Sequence, residues 1–338
     1  MSTTDSAVAS EPSRDADAAV DTGASASGPA SAETPATRPS LKKRLLKIGL
    51  AALVLLGCVY LVWRDRHDLA RAVHELSLGS FLLSGVFALA GTMLIGQIWI
   101  ALLKGMDIKP KQVDANSVFF VSQLGKYLPG SVWPVVAQMQ FGLRWGAPRR
   151  LMLGANILFM GIVVASGIAV GAIMLPWSSS DGLTKYWWLL VLLVPLAVCL
   201  HPRVVPGLLD WGFAKIGREP LGLRLTARGL FTAIGWAVLA WVALGIHVAI
   251  MMHSYGSAGV LPLAAATGGM ALAWAAGIAF IPAPAGAGIR EIILGATLAP
   301  FVPTGAPAVI ALASRVLLLL SDIVLAALGA LLGRRALD

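Results

Sequence analysis

The chain has 338 residues, of which 57% are hydrophobic and only 13% charged, with a mean hydropathy of +0.79. A soluble protein of this size carries about 25% charged residues and has no core that hides so much apolar surface, so a bilayer is the natural solvent for most of the chain. The formal charge of +9 is unevenly divided: residues 1–40 hold six acids against Arg14 and Arg38, a net −4, which leaves +13 for residues 41–338. In a membrane protein that excess marks basic cytoplasmic loops and not a nucleic-acid surface. Cys58 and Cys199 both lie in apolar stretches, which supports neither a disulfide framework nor a thiolate metal site.

Residues 1–40 are Ser, Thr, Ala, Gly, Pro and acids with almost no large apolar side chain. Such a composition does not offset its ordering entropy, so a disordered cytoplasmic tail is expected, followed by a membrane domain over residues 41–338. The first apolar stretch lies too deep for a cleavable signal peptide and is expected to stay as a transmembrane helix. Hydropathy then predicts about six full spans, at residues 46–63, 80–103, 151–175, 183–201, 229–252 and 309–332.

Lys and Arg collect before the first span, at 104–111, at 144–150, at 203–228 and at Arg334 and Arg335. These segments are expected in the cytoplasm, which puts both termini there and makes the protein a multi-pass component of the plasma (cytoplasmic) membrane. The mixed-charge loop at 64–75 and the nearly uncharged loops at 177–185 and 253–261 then face outside.

Two basic flanks, 104–111 and 144–150, enclose a moderately apolar segment, Gln123-Leu-Gly-Lys-Tyr-Leu-Pro-Gly-Ser-Val-Trp133, broken at Gly125, Pro129 and Gly130. Pro removes a helix donor and Gly accepts turn geometry, so a segment with both flanks on one side is expected to dip in and return. A second broken segment has an apolar arm at 262–281, the run Pro282-Ala-Pro-Ala-Gly-Ala-Gly-Ile-Arg-Glu291, and a short arm to Ala299. The expected fold is therefore all-α, about six spans plus two broken, re-entrant segments in an inverted arrangement, with the site where the breaks meet.

Those two runs resemble the signature segments of the lysylphosphatidylglycerol synthase transmembrane region family, flippase-like integral membrane proteins; the resemblance covers residues 41–335. It implies a polytopic domain that moves lipids or lipid-linked precursors between leaflets. Only Gly333 to Asp338 follow the last span, so the soluble aminoacyl-transferring domain of the full-length synthases is not expected, nor is lysylphosphatidylglycerol synthesis.

Ionisable groups in apolar sequence are functional candidates, because a charge at the bilayer centre costs at least about 2.5 kcal/mol. Lys126 and Arg290 stand at the two breaks, where an anionic lipid phosphate would meet them. With them Gln123, Tyr127, Pro129, Gly130, Trp133 and Glu291 form the expected substrate-binding set. Arg315 and Asp322, seven apart on one helical face, are expected to be structural ion pairs; Glu291 with Arg315 and Asp322 with Arg290 would neutralise all four charges, and the sequence leaves the pairing open. His247, Gln97, Gln138 and Asn156 are expected as interhelical hydrogen-bond partners. Trp63, Trp99, Trp145, Trp177, Trp187 and Trp188 are expected as interfacial anchors.

No Walker A loop, H-E-x-x-H, Gly-x-Ser-x-Gly elbow or dinucleotide fingerprint occurs, so no enzyme, metal or cofactor is expected. The leading expectation is a carrier for an anionic or lipid-linked amphiphile, with membrane lipids as partners. A non-catalytic membrane partner or regulator of a separately encoded lipid-modifying transferase is the alternative, and an intramembrane transferase using Lys126, Glu291 or Asp322 the third reading.

Overall fold

In a bilayer every backbone N–H and C=O must be paired within the protein, and the described residues meet that demand with helices alone. The computed structural model describes residues 66–127, 132–178, 182–215, 217–279 and 286–333, all within one unit, Leu45–Asp338. The tail, the expected span at 46–63, Trp63 and Cys58 lie outside the described residues, as does the side chain of Cys199.

Eleven α-helices are described: α1 (Arg66–Glu75), α2 (Leu78–Gly105), α3 (Gln112–Gln123), α4 (Trp133–Gly142), α5 (Arg149–Met174), α6 (Gly182–Cys199), α7 (Val204–Lys215), α8 (Ala227–His253), α9 (Val260–Ala279), α10 (Ile289–Leu298) and α11 (Ala306–Leu332). Five of them, α2, α5, α8, α9 and α11, are long and apolar enough to cross a membrane. The helix α6 occupies the span expected at 183–201.

The expected arm at 262–281 differs from the reading above: α9 has 20 residues, about 30 Å of helix, and is long enough to span by itself. Five described helices have 12 residues or fewer, and three of these, α3, α4 and α10, belong to the two broken segments. At 12, 10 and 10 residues, these half-length helices reach only about 15–18 Å. Each packs on its neighbour, α3 on α4 and α10 on α9, which covers part of each helix and leaves Val113, Val136 and Ile292 exposed.

The scaffold around them is built by α2 against α8, with α9 on α5 and α11 against both α2 and α3. Small residues let these helices approach. A Cβ on Gly167 would lie 2.7 Å from the Ala271 carbonyl oxygen, and one on Gly333 would lie 1.9 Å from Ser117 Oγ, so both glycines serve close packing within the chain. His247, fully buried on α8, ties three helices together. Its Nδ1 lies 2.6 Å from Ser84 Oγ on α2, and its Nε2 lies 2.8 Å from Ser314 Oγ on α11.

Trp99 corrects an expectation. It is not an interfacial anchor but is fully buried on the α2 face that meets α3, stacked 5.6 Å from Phe119 and 6.2 Å from the partly buried Trp145. Trp177, Trp187 and Trp188 are exposed, as anchors would be.

The connections gather at two ends. At one, Thr226 N–H donates to the Gly105 carbonyl at 3.0 Å, and Arg150 bridges to Glu219 and the Pro220 carbonyl. At the other, the Tyr255 hydroxyl donates to the Ala72 carbonyl at 2.7 Å, which joins the α1 end to the loop after α8. Burial, with the Glu75 carboxylate adding to it, pushes that hydroxyl up to about 12, so it stays a donor throughout the physiological range.

Candidate functional site

The half-length helices line a cavity of about 410 Å³ together with the long helices α2, α5, α9 and α11. Its charged lining consists of Lys126, Arg290, Glu291, Arg315 and Asp322, three cations to two carboxylates, a net charge of +1. Gln123 and Tyr127 line it as well. Seven residues singled out from the sequence thus share one space, contributed by the first broken segment, the second and the last span.

Pro129 and Gly130 lie outside the described residues. Trp133 departs from its expected role: it is not among the lining side chains, whereas its neighbours Val132 and Pro134 are. The reason is local packing. Trp133 opens α4, is 49% exposed, and sits over Gly125, where an added Cβ would lie 2.8 Å from the Trp133 Cβ.

The pairing that the sequence left open is resolved in an unanticipated way. Arg315 pairs with Glu291, but Asp322 pairs with Lys126, its Oδ2 2.7 Å from Nζ. The same oxygen accepts from the Tyr127 hydroxyl at 2.5 Å. Arg315 and Asp322 both stand in ion pairs, as expected, and both line the cavity as well. Seven residues apart on α11, they present one cation and one anion to the two broken segments, so α11 holds each segment by a bridge of opposite polarity.

Glu291 also completes its own helix. Its Oε2 accepts the Gly288 N–H at 2.7 Å, at the start of α10, where a carboxylate satisfies an orphan donor and opposes the helix dipole.

Arg290 is the cation that remains. It makes no ion pair with any described carboxylate, and its Nε is buried without a hydrogen-bond partner. Its guanidinium instead lies over the Trp274 ring, 3.9 Å from the centroid, a cation–π contact that strengthens away from water. Trp274 is held edge-on against Trp241, which donates to Ser166 at 2.9 Å. Glycine makes the room: a Cβ on Gly277 would lie 2.7 Å from Arg290 Nε, and one on Gly286 2.7 Å from the Gly277 Cα.

Trp274, Gly277, Gly286, Ser314 and Asn156 also line the cavity and were not read as site residues. A signal was present in the three-residue spacing of Trp274 and Gly277, which puts both on one face of α9. Asn156 differs from its expected part as interhelical glue, since its amide donates to Met152 O one turn back on its own helix. Gln138, by contrast, does join helices, donating to Ser122 Oγ at 2.7 Å.

Apart from Thr92 the remaining lining is apolar or aromatic, including Phe119, Phe159 and Met270. A space with mostly apolar walls and a few convergent charges suits an amphiphile whose polar head is anionic. Comparison with known proteins returned no match: no family model fits the chain, and no curated protein aligns with it.

Proposed function

We propose that this chain is a flippase-like membrane protein, of the lysylphosphatidylglycerol synthase transmembrane region type, that moves an anionic phospholipid or lipid-linked precursor between leaflets. The observation that carries this reading is Arg290, a cation without a described carboxylate in a cavity of net charge +1 lined by the half-length helices and by the long helices α2, α5, α9 and α11. One monoanionic headgroup neutralises that cavity. Its acyl or prenyl chains need not enter, since they remain in lipid while only the head crosses. In this reading the half-length helices are re-entrant from opposite faces, and the basic loops and both termini lie on the cytoplasmic side of the plasma membrane. No step requires ATP or bond chemistry, so the protein acts as a carrier and not as an enzyme.

The test is movement of a headgroup-labelled anionic phospholipid in proteoliposomes, read as the fraction protected from dithionite. The wild-type protein is expected to lower that fraction relative to empty vesicles. Arg290→Gln is expected to slow the exchange by at least about tenfold. Abundance of this variant should stay near normal, because Arg290 has no described carboxylate to strand. Equal protected fractions with and without protein would shift preference to the partner or regulator of a separate transferase.

A further inference from the structure

The two carboxylates of the cavity are held in unlike ways. Glu291 is committed on both oxygens, Oε2 to the Gly288 N–H and Oε1 to Arg315. Asp322, only 4% exposed, is held through side chains alone: Lys126 Nζ and Tyr127 OH converge on its Oδ2, both from the four-residue 3₁₀ turn Leu124–Tyr127. A carboxylate and a phosphodiester offer a lysine the same thing, an oxygen carrying one negative charge. Asp322 therefore stands where an anionic ligand of Lys126 would stand. A second cation with no carboxylate of its own, Arg290, lines the same cavity.

We propose that Asp322 is an internal counter-anion that exchanges between Lys126 and Arg290 while the phosphate of a lipid headgroup passes between the same two cations in the opposite sense. This proposal rests on the anion-carrier reading above. The headgroup first meets Arg290. Its move to Lys126 displaces Asp322, which takes over Arg290. Three cations face three anions before and after the exchange, so no charge is stranded in the low-dielectric interior at either end. Without Asp322, a phosphate on Lys126 has no competitor to release it, and a site that holds its cargo too tightly does not pass it on. The contact seen between Lys126 and Asp322 is the state with the phosphate position on Lys126 filled from within.

Two measurements test this in the full chain. Binding of dihexanoyl phosphatidylglycerol is followed on protein in zwitterionic nanodiscs, and movement of headgroup-labelled phosphatidylglycerol is followed in proteoliposomes. Asp322→Asn is expected to bind about tenfold tighter and to move the lipid at least about tenfold more slowly, whereas Asp322→Glu, which keeps the anion, retains movement. A folded Asp322→Asn protein that moves lipid at the wild-type rate, or binds it more weakly, overturns the exchange. Should that variant not accumulate, Tyr127→Phe decides: it removes one of the two bonds on Oδ2 and leaves the ion pair, so affinity should rise severalfold at normal abundance. Unchanged affinity in Tyr127→Phe also overturns the exchange. Absence of any protein-dependent movement in the wild type sinks the carrier reading beneath it; wild-type movement unaltered in both variants sinks the exchange alone.

Discussion

At the scale of single residues, the five cavity charges are not equivalent. Lys126 and Asp322 depend on each other: Lys126→Ala would leave a carboxylate that is 4% exposed with only the Tyr127 hydroxyl, and stranding one member of a buried pair costs about 3–5 kcal/mol. Lys126→Ala is therefore expected to lower the amount of folded protein, measured by size-exclusion yield from membranes, and a loss of transport in it says little about substrate contact. Arg290 is the cleaner probe. Gly277→Ala places a methyl 2.7 Å from Arg290 Nε and 2.9 Å from its Cγ, atoms of a flexible side chain that swing away more cheaply than backbone. That substitution should displace the guanidinium from Trp274 while leaving abundance near normal. Its expected signature is weaker binding of an anionic lipid with an unchanged melting temperature in detergent, and unchanged binding would show that the stacked position of Arg290 is not the one that meets the headgroup.

The elements make the same distinction between holding and binding. The Glu291–Arg315 bridge joins α10 to α11 and caps α10 through Gly288, so Glu291→Gln removes the ion pair and leaves the cap a neutral acceptor. The side chains are 21% and 35% exposed, and water offsets part of the loss, so the cost should fall below the about 3–5 kcal/mol of a fully buried pair. A lowered melting temperature with lipid binding intact is expected for Glu291→Gln; unchanged stability would remove the structural role. The spans at 80–103, 151–175, 229–252 and 309–332 were legible because a continuous apolar run needs no partner to be recognised. The breaks that bound the half-length helices were legible from clustered Pro and Gly, Pro129-Gly130 and Pro282 to Gly288, whereas a lone Pro195 or Gly167 is carried inside a helix. Pairing was not legible, because Tyr127 and Asp322 are 195 residues apart and only the packing of α11 against the 3₁₀ turn brings them together. Trp99 and Trp274 were misread or missed for a related reason: hydropathy shows that a tryptophan lies in a helix, not which face carries it or what that face meets.

At the scale of the whole molecule, the two ends of the bundle carry the charge asymmetry that hydropathy alone assigned. Thr226 on Gly105, and Arg150 on Glu219 and Pro220, bring the basic stretches at 104–111, 144–150 and 218–228 to one end, although α3 and α4 lie between the first two in sequence and α5, α6 and α7 between the last two. Tyr255 on Ala72 brings the mixed-charge helix α1 and the nearly uncharged loop after α8 to the other end. A positive-inside bias acts on loops through the membrane potential and the anionic inner leaflet, so clustering on one end strengthens a single orientation where scattered charges would oppose each other. In a background with Cys58 and Cys199 replaced by Ala, single cysteines at Lys109, Arg149 and Glu219 should therefore share one pattern toward an impermeant thiol reagent, reacting only after lysis. Cysteines at His74 and Ala258 should react in intact cells. Among the described residues, the segment between Lys109 and Arg149 holds the half-length helices α3 and α4 and short turns beside them, so equal labelling of those two positions also tests the re-entrant path. Reaction of one from outside and the other only after lysis would mean that the segment crosses, and would take the first broken segment out of the inverted arrangement on which the exchange of headgroup and Asp322 depends.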